Sequence, residues 1–245
     1  TSVGGTLVLN GYSTVIGRIN SVSVGSGRIV NNGAIDADLT VDSSLRGNSF
    51  FSGVIADGNG STTGSGTLGL HKTGVGTLTL TGANTYTGDT TVSGGILQFG
   101  NGTATAHNIL GGDILATAGN LTILTPTTVA VAGKVEMSDG SSLSIGSTLG
   151  ATASLTATNM NLGNNVGFNL SGINATSQFE QVLIDTSAGI AGDFATVSVG
   201  GFTGAVDYLT LYTAKSADGK QYRVTYDLAW TGPNNLAHGN FTLTN

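Results

Sequence analysis

Residues 68–99 read LGLHKTGVGTLTLTGANTYTGDTTVSGGILQF, and this stretch decides the fold. Leu78 and Leu80 alternate with Thr77, Thr79 and Thr81, which gives a strand one apolar face and one face of hydroxyls. Gly82-Ala-Asn-Thr and Gly88-Asp then interrupt it with residues that accept turn geometry. A second short strand follows around Val92, the pair Gly94-Gly95 breaks the chain again, and a third strand carries Leu97 and Phe99. Three short strands between glycine-rich corners make one turn of a parallel β-helix.

The same unit recurs on both sides. Towards the N-terminus, Leu7 and Leu9 alternate with Thr6, Val8 and Asn10, and Val22, Val24, Ile29, Ile35, Leu39 and Val41 follow between glycine and asparagine corners. Towards the C-terminus, Leu97, Leu121, Leu143 and Val166 recur at intervals of 22–24 residues. If each turn rises by one strand spacing, about 4.8 Å, these four side chains stack into one apolar column. Val129, Val131, Val135 and Met137 supply the other two sides of a turn, so the interior should be packed solid. The segment 46–66 is less regular. Phe50, Phe51, Val54 and Ile55 are apolar, but residues 57–66, DGNGSTTGSG, read as a projecting loop.

From Gly172 the pattern changes. Strands around 182–184, 194–199, 208–212 and 222–228 are longer and more aromatic, and Ala217-Asp-Gly-Lys reads as a hairpin turn. Antiparallel pairing is expected there. The last turn of a solenoid leaves apolar interior and unpaired backbone that a cap must cover. Tyr208, Tyr212, Tyr222, Tyr226, Leu228, Trp230 and Phe241 are the expected packing residues of that cap, and an aromatic platform for sugars is the alternative reading of the same rings. The organisation is therefore an all-β chain with β-helix turns over 1–171 and a cap over 172–245.

Two stretches resemble a known family. Residues 72–97, KTGVGTLTLTGANTYTGDTTVSGGIL, resemble the passenger-associated strand repeat of bacterial autotransporters. Residues 184–195, 207–211, 216–219, 222–230 and 238–243 resemble the end of such a passenger, just before its membrane barrel. The resemblance is to self-associating, AIDA-type autotransporters. It implies a right-handed, three-sided β-helix, display on a Gram-negative surface, and roles in adhesion, cell aggregation and biofilm formation. It also implies that the aromatic C-terminal strands form an autochaperone, the segment that nucleates folding outside the cell.

Composition narrows the classes. Of 245 residues 40 are glycine and only 9% are charged, yet 39% hydrophobic content with clean alternation argues for ordered β structure rather than disorder. Two prolines, Pro126 and Pro233, leave the ladders largely uninterrupted. A net charge of −6 with no basic stripe argues against nucleic acid and against docking on anionic lipid. Cysteine is absent; a solenoid is held by its own ladders, and in the autotransporter reading a disulfide-closed loop would obstruct passage through the outer-membrane pore. No apolar run reaches spanning length and no basic leader precedes one. The stretch is thus expected to be an excised passenger fragment, attached to a membrane only through a barrel lying outside it.

Chemistry finds little to work with. Asp36 and Asp38 share one face of a strand and Asp42 lies four residues on; the set reads either as a calcium site or as solvated surface, with Arg46 the nearest base. Gly111-Gly-Asp faintly suggests a calcium-binding repeat but occurs once, without the period such repeats need. A nucleophilic triad needs a histidine beside a serine and a carboxylate. His71 is expected to point outward, His107 lies in a polar segment, His238 precedes the last strand, and none follows a nucleophile elbow. No catalytic residue, metal site or cofactor is expected.

What remains is a long exterior of Thr, Ser, Asn and Asp. Such a surface keeps a weakly charged solenoid soluble; equally, rows of short hydrogen-bonding side chains on a rigid rod can zip against a copy of themselves. Each contact is worth about 0.5–1.5 kcal/mol, and repetition adds avidity. The expected partners are a second copy on another cell or a host or matrix surface. A passive stalk for upstream sequence and a glycan-cleaving β-helix enzyme are the alternatives.

Overall fold

The computed structural model describes residues 4–21, 25–44, 47–58, 66–124, 126–146, 153–175, 177–201, 203–204, 210–227 and 240–244. Among them there is no helix, and the strands wind turn by turn. The first turn carries β1 (Thr6–Val8) and β2 (Thr14–Ile16), and the second β3 (Arg28–Val30), β4 (Ala37–Asp42) and β5 (Ser49–Phe51). Next come β6 (Val54–Ala56), β7 (Leu68–Thr73) and β8 (Thr77–Leu80), followed by β9 (Thr90–Val92) and β10 (Ile96–Phe99). β11 (His107–Leu110), β12 (Ile114–Ala116) and β13 (Asn120–Leu124) form one further turn, and β14 (Thr128–Val131), β15 (Lys134–Met137) and β16 (Ser142–Gly146) another. The last turns use β17 (Leu155–Leu162), β18 (Gly167–Ser171), β19 (Asn174–Ala175), β20 (Phe179–Ala191), β21 (Thr196–Gly200) and β22 (Thr203–Gly204). β23 (Thr210–Lys215), β24 (Gln221–Asp227) and β25 (Asn240–Thr244) complete the order.

These strands sort onto three faces, so the fold is a parallel β-helix. The first face starts as β1-β3-β6, passes through residues 84–86 by the bonds Thr85 N–H to Ile55 O and Ile109 N–H to Asn84 O, and continues as β11-β14-β17. The second runs β2-β4-β7-β9-β12-β15-β17-β20, and the third β5-β8-β10-β13-β16-β18-β21-β25. β17 bends across two faces: it pairs with β14 through Leu155 and Thr156 and with β15 from Asn159 on. A register shift between Ala157 and Asn159 makes the corner.

Alternation decides what faces inward. On the third face Leu78, Leu97, Leu121 and Leu143 stack in register and are fully buried. The column then passes to Phe168 and Val197, not to Val166. Val166 is buried too, but at the corner before β18: this turn is longer than its predecessors, and constant spacing does not see an inserted residue. On the second face Leu39, Leu70, Thr90, Ile114, Val135 and Met160 form the facing column. Each buried Leu or Ile removes about 1.5–3 kcal/mol worth of apolar surface from water. At the N-terminal end Leu7 pairs with Ile29 but is 41% exposed, lining an open apolar depression of about 420 Å³ with Ile16, Ile19 and Phe51.

Parallel stacking does not stop at Gly172. β20 pairs parallel with β17, β21 with β18, and β25 with β21. The antiparallel pairing expected throughout this region is confined to the β20-β24-β23 ribbon. The correction has a physical reason. The inward column of the third face still has Val197 and Val199 to bury, and these alternate like the turns before them. The hairpin joining β23 and β24 does turn at Ser216–Lys220, with Gly219 N–H bonded to Ser216 O and Gly219 at φ 70°. Val22, Val24, Arg46, the loop residues 59–65, Tyr208, Leu228, Trp230, Pro233 and His238 lie outside the described residues.

Candidate functional site

The three faces differ in charge. None of the eight strands of the third face contains Asp, Glu, Lys, Arg or His. The ionisable residues gather on the second sheet instead: Asp38, Asp42, His71, Lys72, Lys134, Glu136, Glu180, Asp185, Lys215, Arg223 and Asp227 all lie in its strands. Several pair with one another there, as Lys134 does with Glu136 at 2.7 Å and Arg223 with Glu180 at 2.5 Å.

Outward positions of the third face form straight rows, because register holds from turn to turn. One row is Phe50, Thr79, Gln98, Thr122, Ser144, Asn169 and Ser198; its neighbour is Thr77, Ile96, Asn120, Ser142, Gly167 and Thr196. Short polar side chains within the rows bond to each other: Ser142 Oγ donates to Asn120 Oδ1 at 2.8 Å, and Asn169 Nδ2 to Ser144 Oγ at 3.3 Å. The result is a flat, neutral sheet surface whose hydroxyl and amide groups repeat at the strand spacing, about 4.8 Å.

Inside the repeat at 70–99 the core is not purely apolar. Lys72 is fully buried and stands in the inward column between Val41 and Val92. Its Nζ donates to the carbonyls of Thr73 at 2.6 Å, Gly74 at 2.9 Å and Gly94 at 3.2 Å. Burial pushes its pKa below the ordinary lysine value, and the Asp42 charge pulls it partly back. Tyr86 is buried with its hydroxyl 2.7 Å from Thr90 Oγ1, and burial raises its pKa. Asn84 donates its side-chain amide to Asn108 Oδ1 at 2.7 Å, while Asn84 Oδ1 accepts from Ile55 N–H at 2.9 Å. Lys72 and Asn84 thus bond backbone groups of their own and neighbouring turns, while Tyr86 and Thr90 satisfy each other. The glycines there are required too: a Cβ on Gly95, at φ 62°, would lie 2.3 Å from Gly76 O.

At the C-terminal end the expected packing residues divide. Tyr222 is buried against Phe168 and Phe194, with ring centroids at 5.3 and 4.9 Å, and its hydroxyl lies 3.1 Å from Thr213 Oγ1. Phe168 and Phe194 stack at 4.8 Å. Burial pushes the Tyr222 hydroxyl up to about 12. Tyr226 is buried and meets Phe179 at 6.1 Å. Tyr212 is half-buried on the outermost strand, its pKa raised by burial and by Asp227. Phe241 pairs through its backbone with Val197; its side chain, like Tyr208, Leu228 and Trp230, is outside the described positions. Of the three phenylalanines that complete the cluster, sequence reasoning placed only Phe194, at the start of an expected strand, and missed Phe168 and Phe179.

The carboxylates weighed as a calcium set are engaged separately. Asp36 Oδ1 accepts from Thr67 N–H at 2.7 Å, Asp38 Oδ1 lies 3.3 Å from His71 Nε2, and Asp42 Oδ1 accepts from Ser44 N–H at 2.9 Å. Hydrogen bonds from Ser44 lower the Asp42 pKa. Asp113 accepts from Lys134 N–H at 2.9 Å, and Asp89 from Asp113 N–H at 2.8 Å. Asp36, Asp38, Asp89 and Asp113 clasp one turn to the next, whereas Asp42 closes a bond within its own turn. His107 Nδ1 lies 2.7 Å from Thr128 Oγ1, again across neighbouring turns. Among the described residues no three His, Cys, Asp or Glu side chains converge as a metal set would.

The structure is a parallel β-helix with a neutral ladder face and an aromatic cluster at its C-terminal turns. A family model, the passenger-associated-transport-repeat, matches residues 70–99, the stretch that holds Lys72, Asn84, Tyr86 and Thr90. The chain is also 33% identical, over 64% of its length, to the adhesin BmaC autotransporter of Brucella suis biovar 1 (strain 1330), of which it spans 5%. The chain thus carries the passenger-associated repeat and is similar to a small part of an autotransporter adhesin.

Proposed function

We propose that this passenger segment is an adhesive, non-enzymatic module, displayed at a cell surface or secreted, and that it works by self-association through its third face. The observation that carries the reading is the complete absence of ionisable side chains from the eight strands of that face. Two copies can approach there without repulsion or the cost of desolvating charge. Hydroxyl and amide rows at a common spacing then meet in many registers, and avidity between cells multiplies weak contacts into aggregation and biofilm growth. The name of the Brucella relative as an adhesin agrees with this role.

The closed end is the proposed autochaperone. Tyr222, on the antiparallel ribbon, packs over Phe168 and Phe194 at the last turns, which supports a folding nucleus from which earlier turns add by pairing. Display of residues 1–245 on beads or non-aggregating cells tests the adhesive reading. Beads coated with the chain should clump with one another and not with bare beads. Coated beads that stay dispersed would reduce the chain to a passive stalk.

A further inference from the structure

We propose that the groove at the N-terminal end of the third face binds a carboxylate-bearing saccharide. The groove is open, about 590 Å³ in volume, and lined by Arg18, Asn20, Asn48, Phe50, Thr79 and Gln98 among others. That size suits a few sugar rings. The site reaches beyond the self-association reading, since its occupant is a small glycan and its cation, Arg18, lies outside the strands of the third face, although Phe50, Thr79 and Gln98 belong to that face.

Among the described residues Arg18 is the only ionisable one lining the groove. It is exposed and makes no hydrogen bond or ion pair among the described residues. Among the described residues the carboxylates sit in the second sheet and at its corners, and none on this face neutralises the guanidinium. A planar, permanently charged donor fork matches a sugar carboxylate.

Phe50 supplies the second element. Its ring occupies an outward position where later turns place Thr79, Gln98 and Thr122, and it is 38% exposed. An exposed ring amid hydrogen-bonding groups offers a flat apolar surface for the C–H face of a pyranose. The amides around it are fixed and half-used. Asn20 Oδ1 accepts from Phe50 N–H at 3.1 Å and Asn48 Oδ1 from Thr77 N–H at 2.9 Å, leaving their NH₂ groups to donate. Gln98 Nε2 donates to Gly100 O at 2.8 Å, leaving its oxygen to accept. Cation, ring, donors and acceptor thus surround one opening. A single cation on a chain of net charge −6 does not suit nucleic acid, and the polar lining does not suit an apolar peptide.

The test titrates the intact chain by calorimetry with hyaluronan tetrasaccharide and sialyllactose, against the neutral chitotetraose and lactose. At least one acidic saccharide should bind with a Kd below about 10 mM while its neutral counterpart binds about tenfold more weakly or not at all. Arg18→Gln should weaken the acidic saccharide about tenfold, with Arg18→Lys intermediate, at unchanged melting temperature. Phe50→Leu should weaken it several-fold. Sedimentation of Arg18→Gln should match the unsubstituted chain, which separates this site from self-association. Saturation by neither acidic saccharide, equal binding of the neutral ones, or an Arg18→Gln variant that binds as the unsubstituted chain does would overturn the proposal.

Discussion

Lys72 Nζ lies 3.2 Å from the Gly94 carbonyl oxygen, so a side chain from one turn is bonded to the corner of the next. The same ammonium bonds Thr73 O and Gly74 O, and the lysine stem fills a place that Val41 and Val92 hold in the adjacent turns. A lone buried ammonium would cost several kcal/mol. Here three carbonyls offset that cost: Gly74 O and Gly94 O at the corners, and Thr73 O, which also accepts from Ser43 N–H. The residue therefore acts as a rivet between turns.

Lys72→Met keeps the stem and removes the donors. It should lose about 1–3 kcal/mol, the penalty for carbonyls left without partners. Amide hydrogen exchange should quicken first at the corners holding Gly74 and Gly94, before the strands. Unchanged stability and unchanged corner protection would show that water serves the carbonyls equally well.

Alkaline pH should loosen the closed end. The Tyr222 hydroxyl titrates at about 12 in the fold against 10.0 when free, so the folded chain holds its proton longer. That contribution is fully present below pH 10 and is lost as pH rises from 10 towards 12. It amounts to about 2–3 kcal/mol. Tyr86, raised by burial, acts in the same direction. Lys72, lowered by burial, acts oppositely, its contribution growing up to the free value of 10.5. Tyrosinate absorbance and circular dichroism should change together in this window, and Tyr222→Phe should flatten the decline. A decline as steep in Tyr222→Phe would remove Tyr222 as its cause.

The two ends should behave differently in folding kinetics. If the aromatic end nucleates, Tyr222→Leu slows refolding in proportion to the stability it loses. Leu39→Ala, at the far end, should cost about 2–5 kcal/mol and appear mainly as faster unfolding. The reverse pattern would place the nucleus at the N-terminal turns.

Much of this architecture is written in the alternation. The strand at 77–80, the glycine corners and the column through Leu97, Leu121 and Leu143 follow from period and spacing alone. Phe168 escaped because its turn is longer, and constant spacing pointed to Val166. Lys72 carried a signal that charge obscured: it continues the alternation of Leu68 and Leu70, and a strand does not change face for one residue. Asn84, Tyr86 and Thr90 carried none, since polar residues read as corners whether their side chains point in or out. The neutral face became visible only with register, because charges sparse along the chain segregate when strands are stacked. Arg18 and Phe50 meet at one groove through pairing across the first turns, which local sequence does not encode.

Sedimentation equilibrium over a wide concentration range, comparing the chain with a Thr122→Glu/Ser198→Glu variant, addresses the central claim. Both positions face outward in one row of the third face, three turns apart, so their carboxylates repel a docking copy more than each other. The account predicts reversible, concentration-dependent association of the unsubstituted chain. The variant should remain monomeric to concentrations about tenfold higher, at the same melting temperature. Association of both chains with the same constant would contradict the assignment of this face, and monomers throughout would contradict self-association itself.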